Sequence, residues 1–138
     1  MTTTSRRAFS GAVPTDCWYA LAMSYDVDRE LVGVRALGLP VVLYRTEDGR
    51  AVALEDRCAH RAFPLSAGTL VGDEVRCGLC GFVYDADGQC VSVPTQPRVP
   101  FGAKVASYPV EERDGLVWVW LGEAGRAHIH DAVVDAGQ

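Results

Sequence analysis

The sequence is short of the features that mark several large classes of protein. Across 138 residues no apolar run approaches the roughly 18 consecutive residues of a membrane-crossing helix, so no membrane partner is expected. Lysine and arginine number 13 against 18 acidic residues, and they form no cluster. A net charge of −5 without a basic stretch argues against nucleic acid as a partner; it permits docking to a basic patch on another protein. There is no internal repeat, no low-complexity segment and no convincing helical pattern of ten residues or more. An export leader is also incomplete. Ser5-Arg6-Arg7-Ala8-Phe9 has the look of a twin-arginine signal, but residues 10–13 run at once into Pro14, Thr15 and Asp16, where roughly 7–15 apolar residues are required. Residues 1–14 therefore read as a loose arm, and the expected compartment is the cytoplasm.

What remains is a core-forming chain. Hydrophobic residues make up 49% of it, enough for one ordinary domain. Short apolar runs are punctuated by turn residues. Runs at 41–46 and 50–55 flank Glu47-Asp48-Gly49; runs at 83–84 and 91–93 flank Asp85-Ala86-Asp87-Gly88; runs at 105–111 and 116–121 flank Glu112-Arg113-Asp114-Gly115. Each is a hairpin signal. Residues 18–23 form a further apolar, aromatic run, and 116–121 reads as a strand buried on both faces. Residues 31–39 are ambiguous between strand and loop because of Gly33 and Gly38. The expected fold is all-β, a sandwich or small barrel spanning residues 15–122, followed by a tail or short helix over 123–138.

Five cysteines, an odd number, make a poor disulfide framework. Three of them lie in a tighter pattern: Cys58-Ala59-His60, then sixteen residues, then Cys77-Gly78-Leu79-Cys80-Gly81. Two ligand pairs on separate loops beside hairpins can converge on one metal site. Thiolates and imidazole suit zinc or an iron–sulfur cluster. Cys17 and Cys90 read as core thiols. Trp18, Tyr19, Trp118 and Trp120 read as core aromatics, and Arg61 as a surface residue. His128 and His130 lie two apart beside Asp131 and Asp135, but they read as a polar tail rather than a second metal site.

Here the sequence resembles a known family. Rieske domains carry C-x-H, about fifteen to seventeen residues, then C-x-x-H-G, two histidines replacing two of the cysteines of other 2Fe–2S sites. Every element matches except the last ligand, where Cys80 stands in the histidine position. The context is similar too: 41–45, 53–61, Pro64-Leu65-Ser66, Gly81-Phe82, 85–88, Tyr108-Pro109-Val110 and 116–120 resemble the Rieske domain of ring-hydroxylating and demethylating oxygenases. The resemblance implies a Rieske-type antiparallel β-sandwich with a cluster-binding subdomain of two loops. It implies Cys58 and Cys77 on an inner iron and His60 on an outer, more exposed one, with Cys80 beside it. Zinc is the alternative occupant, and an emptied relic site a further one. In such oxygenases a catalytic domain follows, whereas the chain given ends shortly after Gly122. The expectation is therefore a one-electron carrier serving a reductase or oxygenase partner, with no organic substrate pocket and no catalytic residues of its own. The alternative is a cluster- or zinc-stabilised binding or redox-sensing module.

Overall fold

Alternation along two central strands organises the molecule. In the computed structural model, which describes residues 16–60, 62–94, 98–100 and 102–122, β3 (Leu39–Arg45) and β4 (Ala51–Glu55) are buried on both faces. Successive side chains of a strand point to opposite sides. Val41 and Leu43, with Ala51 and Ala53, enter one core; Val42 and Tyr44, with Val52 and Leu54, enter another. A sheet that is apolar on both sides must be covered twice, and it is.

The central sheet runs β2 (Val32–Ala36), β3, β4, β9 (Ser107–Tyr108). On one side lies a three-stranded sheet of β1 (Cys17–Met23), β11 (Leu116–Leu121) and β10 (Val110–Arg113). Val117, Val119 and Leu121 of β11 pack on Val41, Leu43 and Ala53. The other face of β11 carries Trp118 and Trp120, which cluster with Trp18 of β1. Trp18 and Trp120 meet edge to face, 5.6 Å between centroids. On the opposite side of the central sheet is a four-stranded sheet of β5 (Thr69–Val71), β6 (Glu74–Arg76), β7 (Val83–Tyr84) and β8 (Cys90–Ser92). Its Val75, Tyr84 and Cys90 share a core with Val42, Tyr44 and Leu54. All strand pairs are antiparallel, and among the described residues the only helical pieces are 3-10 turns at Ser24–Asp26 and Leu65–Ala67. None is long and apolar enough to cross a membrane.

Three details refine the strand assignments made from sequence. Residues 31–39 form β2 and the start of β3, joined at Leu37 and Gly38, both at positive φ (56° and 82°) as a two-residue hairpin turn demands. The run 105–111 breaks at Pro109, which has no N–H to give a ladder; β9 before it pairs with β4, and β10 after it pairs with β11. The hairpin β5–β6, turning at Gly72, was absent from the strand pattern. The arm at 1–14, the tail at 123–138 with His128 and His130, and Arg61 lie outside the described residues.

Candidate metal centre

Two loops leave the inner sheets side by side. One follows β4 and carries Cys58; the other follows β6 and carries Cys77 and Cys80. Each closes on itself in the same way: the Cys58 N–H donates to the Phe63 carbonyl (2.9 Å), and the Cys77 N–H donates to that of Phe82 (2.8 Å). Gly81, at φ +82°, donates back to the Cys77 carbonyl (3.1 Å). The loops also touch backbone to backbone. A Cβ at Gly68 would stand 2.0 Å from the Arg76 carbonyl oxygen, so only glycine permits this approach. Asp56 fastens the first loop, accepting from both the N–H and the hydroxyl of Ser66 at 2.6 Å each. Leu65, fully buried beside Ser66, anchors the same turn in the core.

This framework brings the Sγ atoms of Cys58, Cys77 and Cys80 within 4.8 Å of one another. Cys58 and Cys77 are buried, Cys80 is half-buried, and none is disulfide-bonded. Cys58 and Cys80 sulfurs lie 3.5 Å apart. Loss of hydration pushes the Cys80 thiol up to about 11, and the neighbouring Cys58 and Cys77 add to that. His60 is exposed at the rim and lies flat on Phe82, with centroids 4.8 Å apart and planes 6° apart. Its ring is not among the three converging donors. Cys90 sits in the same core as Cys58 and Cys77, its thiol pushed up by burial, and Cys17 starts β1 on the far side of the central sheet. Neither belongs to the converging trio, as expected of core or strand thiols.

Tyr84 is a participant that the sequence pattern did not single out. Its phenol oxygen accepts the Ala59 N–H (2.9 Å) and lies 3.2 Å from the Cys58 sulfur. Burial, then the contact with Cys58, pushes the phenol above its ordinary range, so the proton stays on oxygen. A metal-bound thiolate at Cys58 would have no proton to give, so toward such a sulfur the phenol would be the donor. An open groove of about 310 Å³ reaches Cys58, Ala59 and His60 between Arg57 and Lys104. Arg57 is tied to Glu55 (3.2 Å).

The Rieske [2Fe-2S] domain model matches residues 17–109. The chain belongs to this family. It is 44% identical over 119 residues to a toluene-4-sulfonate monooxygenase system iron–sulfur subunit of Comamonas testosteroni, a match covering 86% of this chain and 34% of that protein. It is 39% identical over 113 residues to the oxygenase component of dicamba O-demethylase of Stenotrophomonas maltophilia, covering 81% and 33%. A crystal structure of dicamba monooxygenase superposes with a TM-score of 0.80 at 38% identity, covering 88% of this chain and 39% of that one. The chain spans about a third of the length of the curated relatives it matches. Its architecture, nearly all antiparallel β, is the Rieske fold of those structures.

The donor set suits the family's cluster in kind. Three soft sulfurs and one imidazole are all iron ligands, and two of the sulfurs are buried while the imidazole is exposed. The outer pair is less well placed than the inner one: to serve a second iron, Cys80 would move outward and His60 would turn off Phe82. Gly78 and Gly81 flank Cys80 and give that loop backbone freedom.

Proposed function

We infer that the chain carries one electron at a time through a 2Fe–2S cluster held by Cys58, Cys77, Cys80 and His60, as the electron-transfer part of an oxygenase system. The observation that carries this reading is the convergence of three thiols from two loops, with His60 at the open rim beside them. The family and the named relatives point to the same chemistry. Residues 15–122 are the proposed working unit, and the proposed partner is a redox protein, a reductase or an oxygenase.

When bound, such a cluster accepts and returns a single electron without large rearrangement. The chain's own residues set how readily it does so. Cys58 and Cys77 hold the buried side, where little water reaches. Tyr84 would donate a hydrogen bond to Cys58 as a metal-bound thiolate, which favours extra negative charge there. Cys80 acts the other way: a thiolate in place of a neutral imidazole adds a negative charge and disfavours reduction. Rieske centres span about −150 to +300 mV, and plant-type all-cysteine centres lie near −400 mV. The proposed potential lies between those groups or low in the first. His60, at the edge of the open groove, is the proposed exit for the electron and the one ligand imidazole able to lose a proton.

The experiment is composition and spectroscopy on protein purified without air. Two irons, two acid-labile sulfides and one unpaired spin per reduced chain support the reading. Zinc alone, or iron without a reducible signal, overturns it.

A further inference from the structure

The central sheet ends at β2, and that edge is open. Arg35 of β2 stands opposite Pro40, which has no N–H to give, and the Pro40 carbonyl accepts the Asp56 N–H on its other side. Arg35 and Pro40 are therefore a pair with no hydrogen bonds between them. Such pairs alternate with bonded ones along an antiparallel ladder, so Val32, Val34 and Ala36 are the residues that bond to β3. The N–H and C=O groups of Gly33 and Arg35 point the other way, off the edge of the sheet. Both residues are exposed, and no described residue hydrogen-bonds to these four groups.

Beside the edge lies a depression of about 460 Å³ whose lining includes Arg35, Pro40, Arg57, Pro64 and Ser66. The carboxylate in its wall, Asp56, is buried and spent on the Ser66 N–H and hydroxyl. Glu55 takes up part of the Arg57 guanidinium. Arg35 gives one N–H to the Gly38 carbonyl and is in no ion pair among the described residues. In a chain of net charge −5, this edge is a local excess of positive charge.

We propose that the β2 edge docks an extended acidic segment of a partner protein, which adds to the central sheet as a further strand. Gly33 and Arg35 supply the main-chain hydrogen bonds. A side chain opposite Arg35 projects onto the same face of the sheet, where a carboxylate meets the guanidinium. A Cβ at Gly33 would lie 2.7 Å from the Ser66 hydroxyl, so this is the face turned to the depression. A second copy of the chain fits worse. Pairing β2 with itself about Val34 sets two Arg35 side chains on one face as diagonal neighbours, like charges together. Arg57 also borders the groove at Cys58 and His60, so a strand on β2 holds its owner beside that rim. The binding does not rest on the electron-carrier reading, because it is measured on backbone amides whatever the metal content.

The probe is a short capped peptide alternating valine and glutamate, titrated into the full chain, with the valine–lysine peptide as its counterpart. Hydrogen exchange resolved to single amides is the readout. The glutamate peptide should saturate below about 1 mM and slow exchange at Gly33 and Arg35 at least about fivefold. Val32 and Val34, already bonded to β3, should not change. Arg35→Gln should weaken the glutamate peptide by about threefold, an effect that shrinks as salt is raised. Arg50→Gln, at the remote β3–β4 turn, should leave it unchanged. Equal binding of the lysine peptide, binding without slowed exchange at Gly33 and Arg35, or no saturable binding would overturn the proposal. So would slow exchange at both amides before any peptide is added: in a chain that sediments as a dimer, a second copy holds the edge, and in a monomer the chain's own residues do.

Discussion

On the proposed cluster, Tyr84 and Cys80 would act on the charge in opposite directions, and each can be altered alone. Removing the phenol proton in Tyr84→Phe leaves the ring packed but takes a donor from the sulfur. The reduced, more negative form loses more than the oxidised one, so the potential should fall. A differential of about 1 kcal/mol corresponds to roughly 43 mV for one electron, readable by protein-film voltammetry. An unchanged or higher potential would show that the proton points elsewhere. Cys80→His removes one negative charge and should raise the potential; it should also turn one proton-coupled break in the potential–pH plot into two. The convergence of the Cys58, Cys77 and Cys80 thiols was legible in the sequence because their spacing is local. Tyr84 was not, because its role depends on the folding of β7 under a loop 25 residues upstream. Nor was the stacking of His60 on Phe82, which joins two loops no local pattern connects.

At the scale of loops and strands, glycine decides how closely the two ligand loops approach. Gly68→Ala would drive a methyl group onto the Arg76 carbonyl, and neither backbone can yield without moving a ligand cysteine. Destabilisation of about 2–3 kcal/mol is expected, as for overpacking a tight site, with faster loss of iron. Urea unfolding and the rate of iron release to a chelator measure the two. Gly72→Ala serves as comparison: its added methyl meets nothing within 4 Å, so it should bear only the smaller cost of positive φ. The strand plan was largely readable because the turns carry ordinary turn residues. Asp114-Gly115 marks the β10–β11 hairpin, both residues at positive φ. Leu37-Gly38 makes an equivalent turn with leucine at φ 56°, a residue that signals no turn, so the glycines at 33 and 38 left residues 31–39 ambiguous. Pro109 split a continuous apolar run between two sheets, a division that depends on which partner each half finds.

At the scale of the whole molecule, the guanidinium of Arg45 ties the central sheet to the three-stranded layer. Arg45 of β3 spends its donors on the carbonyls of Ser24, Val27 and Gly49 and on both carboxylate oxygens of Glu112 in β10 (2.6 and 2.9 Å). The hydrogen bonds from Arg45 hold the Glu112 carboxyl below the usual carboxylate range. A lowered folded-state pKa contributes stability that is present above the ordinary glutamate value and lost as pH falls through the lowered one. Glu112→Gln should therefore be less stable than the unaltered chain near pH 7, by about 1 kcal/mol for a partly exposed pair. The two stability curves should converge as pH drops below about 4. Parallel curves would place the acid sensitivity in other groups. The stacking of three sheets follows from the double-sided apolar character of β3 and β4, which the sequence displays. The salt link across the layers does not, because 67 residues separate its partners.

The central claim is that this chain cycles a cluster between two oxidation states. It is tested most directly by potentiometric titration of the anaerobically purified protein, followed by EPR through several rounds of reduction and reoxidation. The account predicts a reversible one-electron step, with full recovery of the signal on each round and a potential below the middle of the Rieske range. A signal that disappears on the first reduction, with iron released to solution, would contradict it.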